Sequence, residues 1–266
     1  DITSTVESVP LITGSILSKK ASAGLEALVL DVKVGEGAFM SDLEQARTLA
    51  ESLVRVSKGL GIQTSALITE MDYPIGRTIG NALEVIESIE CLRGEGPSDT
   101  TELVCSLGGE LLHLANKAES PEDGFKAMQK SLNDGSALER FRAMIAAVGG
   151  DSSVCDDPKG KLPKAPEHSL IEADQSGYVQ HISSRALAQV ALELGAGRTR
   201  KEDDVDPAVG IEILVSRGQM LNAGLPWLRV HHRNNLNESQ VQRLKAALTT
   251  SDQAPLRVDR TIETLR

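Results

Sequence analysis

The strongest constraint on the fold is the run ALVLDVKV at Ala27–Val34, apolar almost throughout. A run of this length reads as a strand covered on both faces, the environment of a parallel sheet. Ser41 and Glu44 form a capping box that opens a helix reaching about Lys58, and after Gly61 a second strand spans Ile62–Thr69 with SALIT at its centre. Strand, helix and strand in that order imply a right-handed crossover, and hence a parallel pair with helices on both sides. Asp31 and Lys33 interrupt the first run near its C-terminal end. Open α/β sheets place ligand contacts there, while an internal ion pair or a solvated edge accounts for the same residues equally well.

Ahead of the first strand, Ser8 as N-cap and Pro10 in the first turn start a helix that continues over Leu11–Ala21 and ends by Gly24. Ile12, Ser15, Ile16 and Lys19 lie three and four apart, so they form one stripe in which a hydroxyl and an ammonium are flanked by aliphatic groups. A plain solvated face has the same spacing, and Lys20 beside Lys19 dilutes the signal. Beyond the second strand, DYPIGRTIG is a loop. Helices fit Asn81–Arg93, Thr101–Lys117, Pro121–Leu132 and Ser136–Val148, with Gly108 and Gly109 permitting close packing or a kink. The Asp, Ser, Lys, Pro and Gly of 149–166 read as a linker. After it come two short strands within Ser169–Ile182, a helix at Ser184–Leu194, a strand pair within Val209–Val230 and a last helix at Asn237–Thr249. GQMLNAGLPWLRV looks like the hairpin of a lipoyl- or biotinyl-type sandwich, but its turn, Asn222, Ala223 and Gly224, has no lysine to carry a modification.

With aromatics at 2% of 266 residues, the core must be built from Leu, Val, Ile and Ala, and stacking platforms for nucleic acid are nearly absent. A net charge of −10 repels polyanions, which argues against a nucleic-acid polymer or an anionic membrane as partner. The chain has no apolar run long enough to span a bilayer and no secretion-signal pattern, so a soluble intracellular setting is expected. Cys91, Cys105 and Cys155 lie far apart and read as reduced, mostly buried thiols. His113, His168, His181, His231 and His232 lack metal-ligand spacing, and the adjacent pair should point to opposite sides of a strand. Gly35-Glu36-Gly37 lacks the third glycine of a dinucleotide loop, and Gly195-Ala196-Gly197-Arg198 is better read as a left-handed helix stop.

The run DITSTVESVPLITGSILSKKASAGLEALVLDVKVGEGAFM, followed by MDYPIGRTIGNALEV, NDGSALERF, LGAGR and PWLRVHH, resembles the thymidine and pyrimidine-nucleoside phosphorylases over essentially the whole chain. LGAGR and PWLRVHH lean toward the vertebrate members. The resemblance implies an α/β fold: a mixed sheet with flanking helices, the end of a small all-helical domain and a C-terminal barrel-sandwich-like α+β unit. The implied division is 1–22 for the helical part with the base-binding residues, 23–155 for the α/β domain and 156–266 for the C-terminal subdomain.

The implied activity is reversible phosphorolysis of thymidine to thymine and 2-deoxyribose 1-phosphate, with phosphate as co-substrate, no cofactor and no metal. By the same resemblance Ser15 and Lys19 hydrogen-bond the pyrimidine and are the catalytic pair. Ile12 and Ile16 contact the base, and Val6 and Phe39 close the apolar side of its pocket. Glu84 matches a position near a metal ion in some bacterial relatives, but a lone Glu is not diagnostic and no metal is assigned. The family's phosphate-binding groups, a base-side histidine and an arginine align before Asp1, so the expectation is a C-terminal part that needs a preceding segment as partner and is inactive without it. A cytoplasmic homodimer is also implied. Two alternatives stand beside thymidine phosphorolysis: a broader pyrimidine-nucleoside phosphorylase that accepts uridine, and a noncatalytic scaffold.

Overall fold

The computed structural model describes residues 8–198, 200–256 and 259–266, which group into two compact units. The first unit takes in residues up to Met71, then Thr101–Ser131 and Asp259–Arg266. It begins with helix α1 (Val9–Ser22), strand β1 (Ala27–Val34), helix α2 (Leu43–Gly59) and strand β2 (Gln63–Glu70). The expected β-α-β unit is present, with β1 and β2 parallel and in register from Ala27↔Gln63 to Val34↔Glu70. A strand absent from the sequence reading, β10 (Thr261–Leu265), adds antiparallel to the other side of β2, giving a mixed sheet of order β1-β2-β10. This order explains why only β2 is buried along nearly its whole length. It lies between two strands, whereas β1 is at an edge and only its Leu28, Val32 and Val34 are buried.

On one face of this sheet Leu28, Val32, Val34 and Ile68 join Ala46, Leu49, Ala50 and Leu53 of α2 in an aliphatic core that also holds Leu17 of α1. The cap of α2 is one residue later than the pattern suggests. The Gln45 backbone N–H donates to Asp42 Oδ1 at 2.9 Å, and Asp42, not Ser41, is the N-cap. Helices α4 (Ser98–Leu114) and α5 (Pro121–Asn133) meet at glycine, as Gly108-Gly109 suggested. A Cβ on Gly109 would lie 2.6 Å from the Phe125 backbone nitrogen, and one on Gly124 would lie 2.3 Å from the Gly109 carbonyl oxygen. Both distances are far inside van der Waals contact, so the two backbones approach this closely only because neither residue has a side chain.

The second unit joins residues 72–100 to 132–258. It contains β3 (Thr78–Ile79), α3 (Asn81–Leu92), α6 (Ser136–Ala147), α7 (Pro158–Lys161), β4 (Glu167–Glu172), β5 (Gly177–Ile182), α8 (Ser184–Ala191), β6 (Gly210–Ile213), β7 (Met220–Leu221), β8 (Pro226–His232), α9 (Glu238–Ala246) and β9 (Leu248–Ser251). Sheets of order β3-β6-β8-β4 and β7-β5-β9 share one core, in which Val179, Ile182, Ile211, Leu228, Val230 and Trp227 are fully buried. The arrangement is sandwich-like, with no closed barrel among the described residues.

Three expectations are corrected in this unit. The strands flanking Asn222–Gly224 are not a hairpin, since β7 pairs with β5 while β8 pairs with β4 and β6. The polar stretch 149–166 is not a free linker: it folds into a short 3-10 turn and α7, and Val154 and Cys155 are buried against Ile89. The last helix stops at Ala246, and the residues after it pair with β5 as β9. The glycine stop after α8 is present, with Gly195 at φ 104°. Among the described residues no helix is long and apolar enough to cross a membrane.

Candidate active site

Helix α1 is built around two buried residues, Thr13 and Leu17, one turn apart. Ser8 has the extended backbone of an N-cap but makes no side-chain capping bond, so Pro10 in the first turn is the stronger local cause of the helix start. With about 100° of rotation per residue, taking Thr13 as zero puts Leu17 at about 40°, and Ser15, Lys19, Ile12 and Ile16 at about 200°, 240°, 260° and 300°. The burial follows this wheel. Leu17 is 1% exposed, Ile12 and Ile16 are half-buried and pack against the aliphatic core, and Ser15 and Lys19 are exposed. The isoleucines therefore form a slope between core and solvent, and the polar pair stands at its outer edge.

Lys19 Nζ donates to Ser15 Oγ at 3.2 Å. This bond uses one of three ammonium protons and leaves the hydroxyl proton free to donate elsewhere. Such a pair presents several donors and one acceptor beside an aliphatic surface, which suits the edge of a flat heterocycle carrying carbonyl oxygens and a ring N–H. Phe39 is 74% exposed on the turn after β1, outside the aliphatic core, and Val6 lies outside the described residues.

The sequence reading missed Thr13. Its Oγ1 lies 3.0 Å from Ser52 Oγ of α2, and Thr13 is 4% exposed. Its spacing of four from Leu17 was the available signal for a residue on the buried edge.

The charged residues at the end of β1 form a closed cluster. Lys33 Nζ donates to Asp31 Oδ2 at 2.5 Å and to Thr69 Oγ1 at 2.9 Å, and Thr69 Oγ1 donates to Asp31 Oδ1 at 2.5 Å. Of the readings open for Asp31 and Lys33, the ion pair is present. A second closed cluster joins Glu110 of α4, 3% exposed, to Ser65 Oγ at 2.6 Å and to Arg266 Nε and Nη2 at 2.7 and 2.8 Å. The Arg266 guanidinium, helped by the Ser65 hydroxyl, holds the Glu110 carboxyl below its ordinary pKa against the opposing effect of burial.

In the second unit His232 is buried, with Nε2 2.8 Å from Ser169 Oγ, while His231 faces the other way, 3.7 Å from Glu212. Alternation along β8 separates the two rings as expected. His231 and Arg229 hold the Glu212 carboxyl below its usual range. Glu84 caps its own helix, accepting from the Gly80 backbone N–H at 3.1 Å. The Cys91 thiol is pushed up to about 11, by burial first and then by Glu87, Glu90 and Asp99, so it is not a ready nucleophile. Among the described residues no group of three or more His, Cys, Asp or Glu could hold a metal ion.

Residues 1–138 match the family described as "Glycosyl transferase family, a/b domain", and residues 178–251 match the "Pyrimidine nucleoside phosphorylase C-terminal domain". The chain is similar to proteins named pyrimidine-nucleoside phosphorylase from Staphylococcus aureus strains USA300 and NCTC 8325 / PS 47. Each is 44% identical over 252 residues, covering 95% of this chain and 58% of the relative. The chain thus spans 58% of the length of these relatives.

Proposed function

The chain belongs to the glycosyl transferase family that carries this a/b domain, in its pyrimidine-nucleoside phosphorylase branch, and from that premise we propose that it serves the reversible phosphorolysis of thymidine to thymine and 2-deoxyribose 1-phosphate. The observation that carries the proposal is the pair on α1, in which Lys19 Nζ bonds Ser15 Oγ at 3.2 Å on an exposed stripe bordered by Ile12 and Ile16. Breaking the glycosidic bond leaves negative charge on the pyrimidine and positive character on the sugar. An ammonium held beside a ring carbonyl oxygen therefore stabilises the transition state more than the bound nucleoside. Lys19 takes that role. Ser15, able to donate and accept, fixes the edge of the base, and the isoleucines supply the apolar contact under its ring. Phosphate is the attacking co-substrate, and the reaction needs no redox or carbanion-stabilising cofactor. The protein acts as a homodimer in this reading.

The test is thymine release from thymidine by the full-length protein, with and without phosphate. Release that requires phosphate and yields deoxyribose 1-phosphate is expected, and no phosphate-dependent release would remove the proposal. A second reading, a broader enzyme that also takes uridine, is favoured by the name of the bacterial relatives. Uridine turnover within about tenfold of thymidine would select it, since one buried polar contact to a discriminating hydroxyl is worth about that much.

A further inference from the structure

Helix α1 rests on its unit through Leu17, with Val9, Ile12 and Ile16 packed beside it, and Thr13 is the one other buried residue in it. Apolar contact is non-directional, so by itself it leaves the rotation of a helix about its axis weakly determined. Thr13 is separated by about 160° from Ser15 and about 120° from Lys19 around the wheel, on the side of the helix away from the polar pair. At that point it makes a directional contact, with its Oγ1 3.0 Å from Ser52 Oγ on α2. α2 is itself fixed on the sheet by Ala46, Leu49, Ala50 and Leu53 in the core.

We propose that Thr13 and Ser52 are a positioning pair that sets the rotation of α1, and through it the direction in which Ser15 and Lys19 present their donors to the base. The role in catalysis rests on the functional reading above, while the setting of the helix does not. A slip of one residue would turn the polar pair by about 100°, away from any fixed ligand edge. Neither residue touches substrate in this scheme. Ser52 is half-buried, so it can turn to water when its partner is lost, and a variant lacking the bond should still fold.

Steady-state kinetics on the full-length protein test the catalytic part. Thr13→Val, which keeps the shape and removes the hydroxyl, should lower kcat/KM for the nucleoside by about 2- to 10-fold, the worth of one hydrogen bond, and leave the phosphate KM unchanged. Ser52→Ala should match it, the double variant should add nothing further, and Thr13→Ser should restore the wild-type value. A matching rise in the phosphate KM, or failure of Thr13→Ser to rescue, would overturn the pair as a positioning device.

Hydrogen exchange of the α1 amides is the second readout and is independent of activity. Faster exchange over Ile12–Lys20 in Thr13→Val but not in Thr13→Ser is expected, and unchanged exchange overturns the proposal even if the kinetics move. A wild-type protein without phosphorolysis would end the functional reading, and the exchange experiment would still judge the pair.

Discussion

Lys19 and Lys33 each donate to a hydroxyl in the first unit, at 3.2 Å to Ser15 and at 2.9 Å to Thr69, and they differ in what stands beside that hydroxyl. Next to Thr69 is the Asp31 carboxylate, which takes a bond from each partner and neutralises the lysine. Beside Ser15 there is aliphatic surface from Ile12 and Ile16, and Lys19 keeps its charge facing outward. An ammonium donating to a hydroxyl is thus a closed internal contact on β1 and β2 and a solvent-facing pair on α1. A local carboxylate decides which.

The comparison breaks first at Lys19. Lys19→Ala should lower kcat by about a hundredfold, near 3 kcal/mol, as for loss of one preorganised charged donor, with the unfolding midpoint hardly moved. A drop under fivefold would deny Lys19 its charge-stabilising role. The closed clusters should behave in the opposite way. Glu110→Ala removes a buried carboxylate with Ser65 and Arg266 on it and should cost about 2 kcal/mol in urea unfolding with kinetics near wild type. Lys33→Met should cost about 1 kcal/mol by the same measurement, because its partner Asp31 is one-quarter exposed and water can replace the ammonium.

Acid titration sharpens the contrast. The Glu110 pKa is lowered in the folded chain, chiefly by Arg266, so its contribution is fully present above the ordinary carboxylate range and is lost as pH falls through the lowered value. Melting temperature should therefore fall less steeply on acidification in Glu110→Gln than in wild type, and parallel curves would contradict the linkage. The smallest effect belongs to Lys20→Ala, one position off the stripe, which should stay within about twofold of wild-type turnover because it removes only a solvated surface charge.

Much of the first unit was legible because it is local. ALVLDVKV is β1 to the residue, and Ser15 and Lys19 meet because helix geometry alone brings positions four apart together. Gly108 and Gly109 pointed to close packing or a kink, and of the two the close approach at Gly109 is present. The capping of α2 was placed a residue early because Ser41 and Asp42 are both good caps, and backbone direction on entry chooses between them. The barely amphipathic α1 showed its polar stripe but not its buried edge, and so Thr13 passed unnoticed.

By itself, then, the sequence determined the strand-helix-strand order and the stripe on α1, both set by backbone geometry over a few residues. The partners of those elements were decided only in three dimensions. Ser52 meets Thr13 from 39 residues away, and Arg266 reaches Glu110 from 156. β10 completes the sheet from the far end of the described chain, and Lys33 is closed by a threonine on the neighbouring strand. Whether a polar side chain is satisfied inside the protein or left to meet a ligand depends on which faces are brought together, and that is a property of the packed fold, not of spacing along the chain.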